Sequence, residues 1–370
     1  MTLSDVCELI VDCPHSTAID KGEGFPLIRT PNIGKGALIL DGVHRVNEDT
    51  YYARNQRAVP KDNDLIFARE APAGNVAIIK NGIKVCLGQR TVLIRPNPEL
   101  INPQFLVYYL LAPKPQHHLL ETANGATVPH VNMSAIRNLQ ISIPSRDTQD
   151  QLSLILTSFD DMIENNQIQI KLLEEAAIRL YKEWFMNLRF PGYETTRIID
   201  GLPDGWMRSK TKEFVKFAYG KALKAESRKE GHYPVYGSSG IIGYHNEYFV
   251  KAPVIIVGRK GNVGSVYISF DDAYPIDTVF HIQSKISIYY TYFNLLLRKY
   301  NNNDSAVPGL NRDYAESMEM ICPTKNLLDK FDNLISIFFD KQILIKKQID
   351  LLVNVRNMLL PKLMSGEIEV

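Results

Sequence analysis

The sequence has no long apolar run, because no segment approaches the roughly 18 consecutive apolar residues that a membrane-spanning helix needs. Its first residues also lack the basic and apolar regions of a secretory signal peptide. We therefore expect a cytoplasmic protein that makes no membrane contact. Cysteine is scarce: Cys7, Cys13, Cys86 and Cys322 show neither a Cys-x-x-Cys pair nor the ligand spacing of a zinc site. We interpret them as buried thiols and expect no metal site.

The short motifs of the common enzyme classes are also missing. The sequence contains no Asn-Pro-Pro-Tyr or Asp-Pro-Pro-Tyr, no Gly-x-x-x-x-Gly-Lys-Ser/Thr loop, no Gly-x-Ser-x-Gly elbow and no His-Glu-x-x-His. Each of these motifs holds a nucleophile, a metal or a phosphate at a fixed geometry, and nothing in the sequence replaces them. We therefore expect no catalytic residues in this chain and no cofactor bound to it.

Two long segments have the apolar periodicity of amphipathic helices. In residues 147–190 apolar side chains recur at steps of three and four, and residues 324–370 repeat the pattern. Thr148 and Gln151 fit a capping box at the start of the first helix, and Pro191 follows its end. A helix of about 65 Å with one apolar stripe needs a partner, so we expect the two helices to pair. The residues expected to pair them are Leu152, Ile155, Phe159, Leu173, Leu180, Phe331, Leu334, Phe338, Leu352 and Leu359.

The two halves of the chain are related by a tandem duplication. An offset of 179 residues superimposes the two helices and also the segments that precede them, 126–132 and 305–311. Corresponding strand-like segments are 25–27 and 233–235, 65–69 and 255–259, and 91–92 and 278–279. Two unrelated amphipathic helices in separate cores are the simpler alternative. They would have no reason to share flanking segments, so duplication is the better interpretation.

Short β-rich runs separated by Gly and Pro fill residues 25–95, and a helix is predicted at residues 103–111. The second half repeats this order, so we predict an α/β (α+β) fold made of two mixed α/β domains and two long helices. The predicted parts are a first α/β domain at 1–146, the first helix with its linker at 147–205, a second α/β domain at 206–323 and the second helix at 324–370.

The net charge of +1 hides an uneven distribution of charge. Residues 206–300 carry 14 Lys and Arg against 7 Asp and Glu, whereas residues 147–190 carry 4 against 8. A solvated face explains a basic excess, and so does a nucleic-acid surface. The duplication favours the second interpretation, because Arg69 and Arg259 end corresponding strands beside Gly-containing loops. A guanidinium held there can reach a phosphate or a guanine edge.

The duplicated order of α/β domain and long helix resembles the specificity subunit of a type I restriction-modification system. The resemblance covers nearly the whole chain. It rests on the segments FPLIRTPNI at 25–33, REAPAG at 69–74, LGQRT at 87–91, GATVPHV at 125–131, YGSSG at 236–240, GRKGNVG at 258–264 and LPKLMSGEI at 360–368. Each segment alone is weak evidence, but their order and duplication make the resemblance strong.

The resemblance implies two target recognition domains, each reading one half of a split double-stranded DNA target. They are separated by two antiparallel helices in a tandem repeat with pseudo-two-fold symmetry. It also implies two methyltransferase subunits that bind S-adenosylmethionine and dock on this chain, a restriction subunit in the full complex, and no catalysis by the chain itself. The specificity subunit of a two-domain type II system is an alternative. A duplicated coiled-coil scaffold that binds protein or RNA is the alternative from another class.

Reading a DNA sequence requires side chains at base edges, and positioning requires contacts to phosphates. In the first domain the residues expected to make these contacts are Arg29, Thr30, Asn32, Arg69, Gln89, Arg90 and His130. In the second domain they are Lys221, Tyr236, Ser238, Ser239, Arg259, Lys260 and Asn262. For Thr30, Asn32 and Ser238, stabilisation of a turn is an equally good interpretation.

Overall fold

A computed structural model describes residues 1–121, 130–300 and 309–370. Contacts divide the chain into two compact units: unit 1 comprises Met1–Gln167 and Lys347–Val370, and unit 2 comprises Ile168–Lys346. Unit 2 is therefore continuous in sequence, whereas unit 1 takes its residues from both ends of the chain. The domain boundaries expected at residues 146, 205 and 323 lie at or near the ends of helices and strands, and they stay predictions. The division into two units falls elsewhere, because it cuts through each of the two long helices.

Unit 1 is a mixed α/β structure. Its strands are β1 (Cys7–Asp12), β2 (Phe25–Ile28), β3 (Gly36–Ala37), β4 (Arg45–Val46), β5 (Leu65–Ala68), β6 (Val76–Ile78), β7 (Cys86–Leu87) and β8 (Thr91–Pro96). Its helices are α1 (Glu48–Arg54), α2 (Pro103–Leu111), α3 (Pro113–Glu121), α4 (Met133–Arg137) and the first part of α5 (Arg146–Tyr181). The strands form one sheet of order β1-β8-β5-β6-β3 and a second of order β4-β2-β7.

The main sheet of unit 1 is covered on both faces. Leu65 and Phe67 of β5 belong to one hydrophobic cluster with Phe105 of α2, whereas Ile66 and Ala68 belong to a second cluster on the other side. Successive strand residues point to opposite faces, so a strand buried on both sides reads as an unbroken apolar run. The predicted helix at 103–111 is confirmed as α2, which is capped by Asn102 and begins with proline.

Unit 2 repeats this construction. Its strands are β9 (Ile198–Ile199), β10 (Leu202–Pro203), β11 (Met207–Lys210), β12 (Val215–Tyr219), β13 (Tyr233–Gly237), β14 (Gly240–His245), β15 (Val254–Gly258), β16 (Val266–Ser269), β17 (Tyr274–Pro275), β18 (Val279–Ser284) and β19 (Glu319–Cys322). Its helices are the last part of α5, α6 (Thr211–Phe214), α7 (Ile288–Leu296), α8 (Arg312–Ser317) and the first part of α9 (Lys325–Ser365).

Two sheets of unit 2 repeat the strand order of the two sheets of unit 1, except that the edge strand β3 has no counterpart. The order β12-β18-β15-β16 matches β1-β8-β5-β6, and β14-β13-β17 matches β4-β2-β7. Even the directions agree, because β2 pairs with β7 in parallel and β13 pairs with β17 in parallel. The duplication inferred from sequence is therefore present in the backbone.

Strand register corrects one part of the sequence alignment. In unit 1 Thr91 lies opposite Ala68, and in unit 2 Val279 lies opposite Gly258. Thr91 therefore corresponds to Val279, whereas the sequence alignment paired it with Thr278. The expected correspondence was wrong by one residue, which in a strand exchanges the two faces.

The first long helix differs at both ends from its prediction. It begins at Arg146, and the Oγ of Ser145 accepts a hydrogen bond from the Thr148 N–H at 3.3 Å, so the capping box expected at Thr148 was wrong. The α-helix ends at Tyr181 and continues as a π-helical turn to Met186, short of the predicted residue 190. The second helix, Lys325–Ser365, lies within its predicted segment.

The two long helices pair antiparallel, as expected. In unit 1 Leu156, near the start of α5, shares a hydrophobic cluster with Leu363, near the end of α9. In unit 2 Tyr181, at the end of α5, shares a cluster with Phe331 and Ile335, near the start of α9. Each unit therefore contains its own pair of helix segments.

The paired face is rotated slightly from the predicted stripe. Leu152 and Phe331 are buried as predicted, but Leu334 is 43% exposed and the next residue, Ile335, is fully buried in its place. Assigning Leu334 to the helix pairing was wrong. The other predicted residues are half-buried at the edge of the paired face, namely Ile155, Phe159, Leu173, Leu180, Phe338, Leu352 and Leu359.

Cys13, Cys86 and Cys322 are free and buried, as expected, whereas Cys7 is only half-buried. Burial raises the pKa of the Cys7 thiol to about 12 and that of Cys86 to about 11. Within the described ranges no three His, Cys, Asp or Glu side chains are grouped so that they could hold a metal ion. In the same ranges no helix is long and apolar enough to span a membrane.

Candidate nucleic-acid interface

Unit 1 has a cleft of about 380 Å³ that brings together four of the residues predicted to contact DNA. Arg29 and Thr30 follow the end of β2, while Gln89 and Arg90 lie in the turn between β7 and β8. The two loops meet because the N–H of Gly88 donates to the Ile28 carbonyl at 2.7 Å. A Cβ at residue 88 would lie 2.7 Å from that carbonyl oxygen, so only glycine permits this approach.

Some of the predicted residues support the walls of the cleft. Asn32 is buried, its Oδ1 accepts from the Arg29 N–H at 3.2 Å, and its Nδ2 donates to the Ile39 carbonyl at 3.2 Å. Thr30 is also buried, in the same 3₁₀ turn. These contacts favour the turn-stabilising interpretation for both residues, which shape the loop that presents Arg29.

The cleft also contains polar residues that sequence reasoning missed. Arg54 forms part of its lining and is held by the Leu87 carbonyl, which accepts from Nε at 2.6 Å, and by the Ser16 carbonyl, which accepts from Nη1 at 2.9 Å. Asp20 accepts from the N–H groups of Arg45 and Gly22, and these hydrogen bonds lower the pKa of its carboxyl. No sequence motif marked either residue, because their roles depend on contacts across loops.

Arg69 lies in a buried network rather than in the cleft. Its side chain is 8% exposed, and Nε donates to the Val131 carbonyl at 2.9 Å while Nη1 pairs with the Asp12 carboxylate at 2.9 Å. Nη2 contacts Nε2 of His130 at 2.5 Å. Contacts within the chain thus engage all three nitrogens of the buried guanidinium, which favours a structural role for Arg69 over base contact.

This network fixes the tautomer of His130. A guanidinium can only donate, so the His130 Nε2 that faces Arg69 accepts, and Nδ1 carries the proton toward Oε1 of Glu70 at 2.5 Å. The second oxygen of Glu70 pairs with Nε of Arg90 at 3.0 Å. The buried network therefore ends at Arg90. The side chain of Arg90 is 58% exposed, so it is the residue of this network that can reach a ligand.

In unit 2 the corresponding arginine has different contacts. The guanidinium carbon of Arg259 lies 5.0 Å from the ring centroid of Tyr219 and 5.8 Å from that of Phe280. Its Nη1 donates to the Asp277 carbonyl at 3.1 Å. A second arginine, Arg312, lies 5.4 Å from the same Tyr219 ring. Tyr219 and Arg312 were not found from sequence, because nothing in either half marks them as neighbours.

Loops near Arg259 carry most of the other residues predicted for unit 2. Ser238 and Asn262 lie in adjacent turns, where the Ser238 Oγ accepts from the Asn262 N–H at 3.4 Å. The Ser238 carbonyl also accepts from Ser265 Oγ at 2.7 Å, so Ser238 has the contacts of a turn-stabilising residue. The predicted residues whose side chains are exposed are Lys221, Ser239, Lys260 and Asn262.

Tyr236 is set apart from the other residues predicted for unit 2. It is 7% exposed and lines a separate cavity of about 540 Å³ with Phe293 and Phe339. Burial raises the pKa of its hydroxyl. Its contacts are therefore those of a core residue. The repeated segments around 126–129 and 305–308 lie outside the described residues.

Comparisons with known proteins agree with this architecture. The family described as "Type I restriction modification DNA specificity domain" matches residues 1–175 and 203–347. The MjaIX specificity subunit of a type I restriction enzyme from Methanocaldococcus jannaschii is 26% identical over 411 residues, which cover all of this chain and 93% of that protein. The HindI specificity subunit from Haemophilus influenzae is 24% identical over 146 residues, covering 38% of this chain and 32% of that protein.

Among solved structures, the S subunit of a type I restriction-modification system from M. genitalium has a similar fold. It aligns with a TM-score of 0.58 at 17% identity and covers 98% of this chain and 95% of its own. At that identity the likeness concerns the fold. The family match is stronger evidence, because it extends over both halves of the duplicated sequence. The chain therefore belongs to the family of type I restriction-modification DNA specificity proteins.

Proposed function

We propose that this chain is the DNA-recognition subunit of a type I restriction-modification complex, in which each unit reads one half of a split double-stranded target. One observation carries the proposal: the same strand order occurs twice, once in each unit. Two copies of one fold suit a target made of two parts. The names of the relatives, which are specificity subunits of type I restriction enzymes, support the same function.

In unit 1 the cleft supplies the chemistry for base recognition. Arg90 and Arg29 offer guanidinium donors suited to the O6 and N7 of guanine, and Gln89 offers the amide that pairs with adenine. The Nε of Arg29 is buried and has no hydrogen-bond partner among the described residues, so any base contact by Arg29 falls to its Nη atoms. Asp20 carries a carboxylate that can accept from the amino group of cytosine. Thr30 and Asn32 hold the loop in place.

In unit 2 the exposed cations suit a role in positioning. Lys221 and Lys260 are compact point charges on flexible stems, which favours contact with phosphates over base readout. Ser239 and Asn262 are exposed in the neighbouring turns and can reach the sugar-phosphate backbone or a base edge. Removing a phosphate contact should weaken binding to all sequences alike.

The long helices have exposed apolar residues that suit partner subunits. In unit 1 Leu351 and Met358 of α9 are 65% and 67% exposed, and in unit 2 Ile337 and Leu344 of the same helix are 63% and 67% exposed. All four occupy one heptad position, the spacing by which helices dock on helices. Each unit thus offers its own apolar helical surface, which fits two methyltransferase subunits, one for each unit.

The chemistry of the complex is proposed to lie in the partners. The methyltransferase subunits would bind S-adenosylmethionine and the restriction subunit would cleave, while this chain binds no cofactor and catalyses nothing. Its site of action is then the cytoplasm, where bacterial and archaeal DNA is found. If the partner instead combines nuclease and methyltransferase in one chain, the system is of the two-domain type II kind, and the co-purifying protein distinguishes the two.

The proposal is tested with the chain assembled with the methyltransferase encoded beside it. A duplex library with two randomised blocks and variable spacing is methylated, and the modified sequences are read. We expect a target with two fixed parts and a spacer of constant length, recognised at moderate salt, where base contacts persist and purely electrostatic binding weakens. Methylation without sequence preference, or binding that disappears uniformly with salt, would favour the scaffold alternative. Turnover by the isolated chain would overturn its non-catalytic assignment.

A further inference from the structure

The register of the sheets places two sets of three residues at equivalent positions. In unit 1 Asp12 lies opposite Val92, which lies opposite Phe67. In unit 2 Tyr219 lies opposite Phe280, which lies opposite Val257. Two residues after Phe67 comes Arg69, and two residues after Val257 comes Arg259. Tyr219 therefore stands where Asp12 stands, beside the equivalent arginine.

Backbone hydrogen bonds confirm that the two arginines are equivalent. The Arg69 N–H donates to the Arg90 carbonyl and its own carbonyl accepts from Val131, while the Arg259 N–H donates to the Thr278 carbonyl and its carbonyl accepts from Leu310. The residue before Val131 is His130, and the residue before Leu310 is Gly309. The two side chains that hold Arg69, a carboxylate and an imidazole, are thus replaced in unit 2 by a phenol ring and by no side chain.

This replacement changes what the guanidinium can do. Arg69 uses Nε, Nη1 and Nη2 within the chain. Arg259 donates only from Nη1, to the Asp277 carbonyl, so in the described part of the chain its Nε and Nη2 have no hydrogen-bond acceptor. It also lacks an ion-pair partner there. A ring positions a guanidinium without occupying its donors, because the contact uses the flat face of the ion.

The second arginine strengthens this arrangement. Arg312 and Arg259 both lie against Tyr219, so two positive charges share one ring that is 47% exposed. Their repulsion is relieved only in part by Asp313, whose carboxylate lies 3.3 Å from Nε of Arg312. An acceptor-rich ligand would relieve it further, and the guanine edge in the major groove presents two acceptors side by side.

We infer that the two units read DNA by unequal means: Arg259, positioned by the Tyr219 ring, reads a guanine in the half-site of unit 2, while Arg69 is a structural residue. This inference rests on the proposed function. It makes Tyr219 a positioning residue, and it makes Arg312 a second cation that orients the ligand. Base recognition in unit 1 then belongs to the cleft that Arg90 borders.

The test uses the assembled complex and measures methylation of duplexes that carry every base pair at each position of both half-sites. Arg259→Ala should lower the preference for one G·C pair in one half-site by about 10- to 100-fold. Tyr219→Leu should lower the same preference by about 3- to 10-fold, and Tyr219→Phe should restore most of it because the ring remains. Lys221→Ala is the control variant for a phosphate contact. It should weaken binding to all sequences alike and make binding less dependent on salt concentration.

One further variant tests the mechanism directly. Tyr219→Asp places a carboxylate where Asp12 stands in unit 1, so Arg259 should pair with it and lose the same base preference as in Arg259→Ala. Thermal unfolding of each variant shows whether it folds. If folded Arg259→Ala weakens binding to every sequence equally, the arginine is a phosphate anchor and the inference is wrong. If the wild-type complex has no preference in either half-site, the proposed function itself has failed.

Discussion

The pairing of the long helices in unit 2 can be tested with two substitutions one turn apart. Phe331 is fully buried, and the centroid of its ring lies 4.9 Å from that of Phe185 and 5.8 Å from that of Trp184. Leu334 lies three residues further along the same helix, yet it is 43% exposed. Apolar periodicity predicts that both residues lie on the paired face, whereas the structure buries only Phe331. Substitutions at the two sites therefore distinguish the structure from the prediction based on periodicity.

The expected change in the free energy of unfolding follows from how deeply each side chain is buried. Phe331→Ala removes a ring from a closed aromatic cluster and should cost about 3 to 5 kcal/mol of the free energy of unfolding of unit 2. Leu334→Ala should change it by less than about 0.5 kcal/mol, because the lost contacts are partial and alanine is a good helix former. With a urea m-value of about 2 kcal/mol per molar, the midpoints should fall by roughly 2 M and by less than about 0.3 M.

The assay can be specific to unit 2. The chain has two tryptophans, Trp184 and Trp206, and both lie in Ile168–Lys346. Urea unfolding followed by tryptophan fluorescence therefore reports on unit 2 alone, and the midpoint rather than the intensity is compared, since Phe331 touches Trp184. Equal midpoints for the two variants would show that Leu334 faces the partner helix and that the described pairing is wrong.

Other predictions address the remaining parts of the structure. Gly88→Ala should push the two loops of the unit 1 cleft apart and impair recognition of one half-site while the other is kept, as read by methylation of half-site variants. Burial lowers the pKa of His281 below its ordinary 6.5, so the unfolded chain takes up this proton first and stability is lost as the pH falls below about 6.5. His281→Phe should flatten that pH dependence of urea unfolding. Leu351→Glu with Met358→Glu should remove one of two methyltransferase subunits, and native mass spectrometry counts those that remain.

Much of the fold could be predicted because it depends on local pattern. The helix at 103–111 was found from its apolar residues and its proline start, and the duplication from repeated segments. The error at Leu334 has a geometric cause: apolar residues occupy a band wider than the contact line, and the sequence does not show which edge of the band faces the partner. Only the packing of Ile335 decides it.

The candidate site was harder to predict, because function there depends on contacts between distant segments. Arg69 and Arg259 follow similar strands, and the sequence does not distinguish them. Their difference comes from Asp12 and Tyr219, which lie 57 and 40 positions away and are brought beside them by strand pairing. Sequence alignment alone pairs Thr91 with Thr278, one residue away from the strand register, and a shift of this size hides the equivalence of Asp12 and Tyr219.

The division of the chain into units has a consequence for its synthesis. Unit 2 is the continuous stretch Ile168–Lys346, whereas unit 1 needs Lys347–Val370 in addition to Met1–Gln167. A ribosome makes Leu3 and Leu156 before unit 2, but Leu363, which packs in the same cluster, comes only after all of unit 2. The second unit can therefore complete its core before the first, although most of the first is made earlier. During that interval the apolar residues at the start of α5 lack the part of their cluster that α9 supplies, which favours chaperone binding and misassembly.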